Sequence, residues 1–103
     1  MSDIDALRRR IDELDERLVE LLNERASCAL KIGQLKHLLG LGIYQPDRES
    51  QVLSNVRRHG EAGGGPLGGE ALTRLFERII DEARRLERES ASAHGSGEDR
   101  TGE

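Results

Sequence analysis

The sequence predicts an all-α chain of three helices, one very long, one short and one of medium length, that pairs with a second copy. Three observations carry this expectation. Apolar residues recur at steps of three and four along most of the chain, the only prolines (Pro46 and Pro66) and the glycine clusters fall between such runs, and no segment alternates with the period of a strand.

The first run, Asp3 to Leu39, has no proline and no glycine before Gly33. Ser2, with Asp5 three residues on, supplies an N-cap, and Gly40-Leu41-Gly42 supplies a stop. Its apolar series is Ile4, Leu7, Ile11, Leu14, Leu18, Leu21, Cys28, Ile32, Leu35 and Leu39, the spacing of a coiled-coil seam. One seam position is not apolar: between Leu21 and Cys28 stands Arg25. The second run opens at Pro46-Asp47, where proline suits the first turn and acids suit its dipole. It presents Val52, Leu53 and Val56 and is expected to end at Gly60. Residues 60–69, GEAGGGPLGG, lack the Lys-Ser/Thr of a phosphate loop and read as a flexible hinge. The third run, from Glu70 to Glu89, places Leu72, Leu75, Phe76, Ile79, Ile80, Ala83 and Leu86 on one stripe. Residues 1–89 therefore form the helical domain, and the polar, glycine-rich residues 90–103 are expected to be disordered.

Geometry makes the dimer the expectation. A helix of about 37 residues is roughly 55 Å long, whereas a compact globule of about 100 residues has a radius of gyration near 13 Å. The apolar seam runs to both ends of that helix, so a partner must bury it, and a second copy in an antiparallel or intertwined arrangement does so with no further component.

Composition narrows the function. Sixteen Lys and Arg against 20 Asp and Glu leave a charge of −4, which argues against nucleic acid or an anionic membrane as partner. Tyr44 and Phe76 are the only aromatics, too few for a base-stacking platform. No apolar stretch approaches a membrane span, and Met1-Ser2-Asp3-Ile4-Asp5 opens no secretory signal. The single Cys28 cannot form an internal disulfide, and His37, His59 and His94 show no metal-ligand spacing. The expectation is a cytoplasmic chain that uses neither metal nor cofactor.

Most charges fit a solvated surface; Arg57, Arg58, Arg84, Arg85 and Arg88 are read that way. Arg25 is not. An unpaired guanidinium buried in a seam costs several kcal/mol unless an anion meets it. Either it sets helix register or pairs with an acid of another helix, or it opens an internal anion site. Lys36 favours the second reading. It lies eleven residues on, about 20° off the same helical face and some 16 Å along the axis. Arg8 flanks the same seam but lies roughly 26 Å from Arg25, so it joins a common site only from another subunit. Arg48 and Glu49 sit in the first turn of the second helix, and Glu87 on an inward edge of the third. Glu87 is either a partner for Arg25 or Lys36, or a buried acid that keeps its proton and donates a hydrogen bond. No residue cluster suggests covalent catalysis. The set as a whole suits a small polycarboxylate and electrostatic stabilisation of charge.

Leu7 to Lys36 (LRRRIDELDERLVELLNERASCALKIGQLK), Pro46 to Leu53 (PDRESQVL) and Leu72 to Glu87 (LTRLFERIIDEARRLE) resemble the all-α chorismate mutases. The joint placement of Arg8, Arg25, Lys36, Arg48, Glu49 and Glu87 carries the likeness more specifically than the amphipathic helices do. The resemblance implies an intertwined dimer that converts chorismate to prephenate by a Claisen rearrangement, with no cofactor. It assigns the two carboxylates to Arg25 and to Arg8 of the partner subunit, and the ether oxygen to Lys36 and Glu87. Arg48 becomes a supporting residue and Glu49 the acceptor for the ring hydroxyl. Three positions depart from the usual pattern: Glu87 where glutamine is frequent, Ala83 where some members have serine, and Gln45 where some have aspartate. Isochorismate pyruvate-lyases share the fold, and a non-catalytic helical module that pairs with a shikimate-pathway enzyme is a further alternative.

Overall fold

The computed structural model describes residues 2–42 and 45–102, with side chains as far as Ser92. The side chains of the polar tail, His94 among them, and Ile43-Tyr44 lie outside the described residues. Three helices follow in order: α1 (Asp3–Leu38), α2 (Pro46–Gly63) and α3 (Gly69–Gly102). Among the described residues there is no strand.

Helix α1 is capped as its sequence dictates. Asp5 N donates to Ser2 Oγ at 3.1 Å, satisfying one of the free amides of the first turn. At the other end Gly40 takes a positive φ of 72°. Gly40 N donates to the His37 carbonyl at 3.1 Å and Leu41 N to the Lys36 carbonyl at 2.7 Å, the two bonds of a Schellman motif. The last turn of α1, which carries Lys36, is thereby fixed by its own backbone.

The ends of the other two helices differ from expectation. Helix α2 does not stop at Gly60 but runs 18 residues to Gly63, closed by Gly64 at φ 63°. The hinge expected over residues 60–69 shrinks to residues 64–68, because Gly60 and Gly69 are packing residues. A Cβ on Gly60 would lie 3.3 Å from Gly69 Cα and 2.5 Å from Leu72 Cδ1. One on Gly69 would lie 3.0 Å from the Arg57 carbonyl oxygen. The absent side chains let the α2 and α3 backbones touch. Helix α3 in turn continues past Glu89 to Gly102, a 34-residue element. No proline follows Pro66, so nothing removes an amide from its hydrogen-bond ladder. "Short" and "medium" therefore understate α2 and α3.

Helix α3 is the shared support: α2 and α1 both pack on it and not on one another. The chain is elongated, 64 × 33 × 16 Å, with a radius of gyration of 18.2 Å. Among the described residues no apolar side chain is fully buried, and the one buried side chain is Thr73, whose hydroxyl donates to the Gly69 carbonyl at 2.6 Å. The seam of α1 is open along its length, with Ile4 59%, Leu7 64%, Ile11 53% and Leu18 55% exposed. The accessible surface is 8269 Å², against about 5,800 Å² for a compact monomer of this mass.

The glycine crossing gives a paired test. Gly69→Ala forces a backbone contact apart and should lower the stability measured by urea unfolding by about 1–3 kcal/mol. Gly63→Ala meets nothing within 4 Å and should raise it by roughly 0.5–1 kcal/mol through helix propensity and a stiffer unfolded chain.

Candidate active site

All three helices border one cleft of about 440 Å³, a size suited to a small metabolite. Helix α1 lines it with Arg25, Cys28, Ala29, Ile32 and Lys36, residues that share one face at steps of three and four. The start of α2 adds Gln45, Arg48, Glu49 and Val52, and α3 adds Ile80, Ala83, Arg84 and Glu87. Six of the seven residues singled out in the sequence, Arg25, Lys36, Gln45, Arg48, Glu49 and Glu87, thus meet in one place. The seventh, Arg8, does not: it sits on the exposed N-terminal part of α1, outside the cleft.

Four cationic side chains face two carboxyl groups here, so the cleft is electropositive although the whole chain is acidic. Arg25, Lys36, Glu49 and Glu87 are half-buried, while Gln45 and Arg48 are exposed. Arg48 Nη1 donates to Gln51 Oε1 at 2.6 Å, which holds that side chain along its own helix.

Glu87 enters the cleft over Gly33. A Cβ at Gly33 would stand 3.1 Å from Glu87 Cγ and 3.4 Å from Oε2, so the glycine makes room for the carboxyl group at some cost in helix propensity. Burial pushes the Glu87 carboxyl above its ordinary value of 4.5; the Lys36 ammonium opposes that rise and the Glu49 carboxylate adds to it. The acid is therefore biased toward the protonated form able to donate a hydrogen bond.

Arg84 is the residue the sequence reading misplaced. It is no solvated surface arginine: its side chain is 27% exposed, and Nη2 donates to Glu49 Oε1 of α2 at 2.5 Å, with Asp81 Oδ1 3.7 Å away. The available signal was its spacing, four residues after Ile80 and three before Glu87, which puts it on the same inward edge.

A second groove, of about 620 Å³, is bordered by α1 and α3 and lined by Leu22, Ala26, Ile79 and Leu86 among others. Two of its three cations face acids of the same rim, Arg78 with Glu82 at 2.8 Å and Arg85 with Glu89 at 3.2 Å, and the third, Arg25, borders both hollows. The smaller cleft adds Lys36, Arg48 and Arg84 to Arg25, so it is the candidate site for an anion.

Chorismate mutase type II is the family whose sequence pattern the chain matches, over residues 7–88, and the chain belongs to that family. It is 36% identical over 95 residues to a bifunctional chorismate mutase/prephenate dehydratase of Aquifex aeolicus, covering 91% of this chain and 26% of that protein. It is 34% identical over 93 residues to a 4-amino-4-deoxychorismate mutase of Streptomyces pristinaespiralis, covering 90% of this chain and 70% of that protein. A solved chorismate mutase from Helicobacter pylori, in complex with prephenate, superposes with a TM-score of 0.77 at 30% identity over 86% of this chain and 93% of that one. The chain spans about a quarter of the length of the bifunctional relatives.

The raised Glu87 pKa has a consequence for stability. The folded chain binds more protons than the unfolded one between pH 4.5 and the raised value. The Glu87 contribution is thus full below pH 4.5 and is lost as pH rises through the folded pKa. The urea midpoint should decline over that window, and less steeply in Glu87→Gln; equal slopes in the two proteins would remove Glu87 as the cause.

Proposed function

We propose that the chain is a cytoplasmic chorismate mutase, with residues 1–89 as its catalytic unit, acting as a homodimer to which each subunit lends Arg8 in trans. The observation that carries the reading is the electropositive cleft of about 440 Å³ in which Arg25, Lys36, Arg48, Glu49 and Glu87 converge. Chorismate is a dicarboxylate whose side chain is joined to the ring by an enol ether. In the rearrangement the ether C–O bond breaks as a C–C bond forms between the side chain and the ring, six electrons moving in one cycle. Product and substrate are isomers, so no co-reactant enters.

Each residue then has a task set by its chemistry. Arg25 and the partner's Arg8 hold the two carboxylates and so select the compact conformer in which the bonding carbons are close. Lys36, fixed by the Schellman turn, and protonated Glu87 donate from opposite sides to the ether oxygen, where negative charge grows in the transition state. Glu49 accepts from the ring hydroxyl, Arg48 adds positive potential beside it, and Gln45 closes the rim.

The dimer rests on the uncovered seam. The chain exposes roughly 2,500 Å² more than a compact monomer of its mass, within the range a subunit buries in an obligate dimer. Pairing on the α1 seam also brings the partner's Arg8 within reach of a cleft it cannot enter in its own chain.

A second reading follows from the Streptomyces relative, whose substrate by name carries an amine in place of the ring hydroxyl. Incubation with chorismate, isochorismate and the 4-amino analogue, with products identified, separates mutase, lyase and amino-mutase activities. The expected result is prephenate from chorismate, with kcat/KM in Arg25→Ala lower by about 100-fold or more. Loss of chorismate absorbance no faster with the protein than without it would end the proposal. Activity should also fall as pH rises through the Glu87 pKa in the complex, and Glu87→Gln should flatten that limb, since an amide donates at every pH.

Trans contribution has its own test. Inactive Arg8→Ala and Arg25→Ala chains, unfolded together and refolded, should regain activity through hybrid dimers holding one intact site. No recovery after verified exchange would place the whole site within a single chain.

A further inference from the structure

The contact between Arg84 and Glu49 bears on which substituent the site accepts at the ring position that Glu49 reads. Arg84 Nη2 lies 2.5 Å from Glu49 Oε1, the side chains are 27% and 24% exposed, and both border the cleft. The pair is therefore a half-buried part of the cavity wall. Resting on the function proposed above, we propose that Arg84 is a specificity-determining residue, which makes the site select a neutral hydroxyl and reject an ammonium at that ring position.

The argument is one of charge. An ionised carboxylate has about four acceptor positions, and Arg84 occupies one oxygen of Glu49. The other positions can still accept a hydrogen bond from a hydroxyl, which carries no net charge and meets no penalty from the guanidinium. An ammonium has different needs. Desolvated in the cleft, it requires a counter-ion, and the carboxylate it would use is already neutralised by Arg84. It would also stand a few ångströms from the guanidinium, where like charges repel more strongly than in bulk water. Glu87, the other carboxyl group of the cleft, already faces the Lys36 ammonium, and Lys36 from α1 and Arg48 from α2 add to the repulsion. Discrimination thus comes from an unfavourable contact with the wrong substrate as much as from a good one with the right substrate.

The decisive quantity is the ratio of kcat/KM for chorismate to that for its 4-amino analogue, measured with both present. This ratio is insensitive to a general loss of folded protein, which lowers both values alike. The wild-type chain should favour the hydroxyl substrate by about 100-fold or more near neutral pH, Arg84→Gln should narrow the ratio by about tenfold or more, and Arg84→Lys should hold it near the wild-type value. The wild-type ratio should also narrow as pH is raised until the substrate amine loses its proton, a measurement that needs no variant. An Arg84→Gln ratio equal to wild type would overturn the inference. So would a wild-type preference for the amine, or a ratio that ignores the protonation of the amine. Should Arg84→Gln turn over neither substrate, the pH series alone decides. Failure of the wild type on both substrates would instead refute the mutase reading and this inference with it.

Discussion

A helix of 36 residues in a chain of 103 cannot be buried by the rest of that chain. Every other feature follows from this limit. The α1 seam, apolar from Ile4 onward except at Arg25, remains uncovered, no apolar side chain among the described residues reaches full burial, and the accessible surface is that of an incomplete object. A globular domain closes its core first and decorates the surface with a site. Here the chain has only a half-core, and the cleft opens where three helices meet without filling the space between them. An open seam and an open cleft are two results of the same shortage of chain.

That shortage also explains the electrostatics. Cations placed in a well-packed core would demand full pairing, and a buried ion pair rarely offsets its own desolvation. The half-buried wall of this cleft relaxes the demand. Arg25 and Lys36 keep part of their hydration while projecting toward a common volume, and Glu87 shares it at the cost of a raised pKa. The charge balance of such a cleft suits an anionic guest of the kind proposed above. An acidic chain thus presents an electropositive interior without a basic surface.

Much of this was legible in the sequence, for identifiable reasons. The seam spacing gave α1 and its caps almost to the residue, since Ser2 and Gly40 are local signals that need no tertiary context. Arg25 stood out because it interrupts an apolar series, and Lys36 and Glu87 because they share faces with apolar neighbours. What failed depended on contacts between helices. Gly60 and Gly69 look like breakers in a one-dimensional reading, yet they are where two backbones touch. Arg84 looks like one of several surface arginines until α2 brings Glu49 against it. Glycine and arginine each carry two meanings, and only the neighbouring helix selects one.

The Gly60–Gly69 crossing acts as a fulcrum. Glu49 lies eleven residues from it along α2 and Arg84 fifteen along α3, arms of roughly 16 and 22 Å. A five-degree change in crossing angle displaces the tip of the longer arm by about 2 Å, enough to separate a guanidinium from its carboxylate. Two glycines remote from the cleft therefore act as the calibration screw of its polar wall.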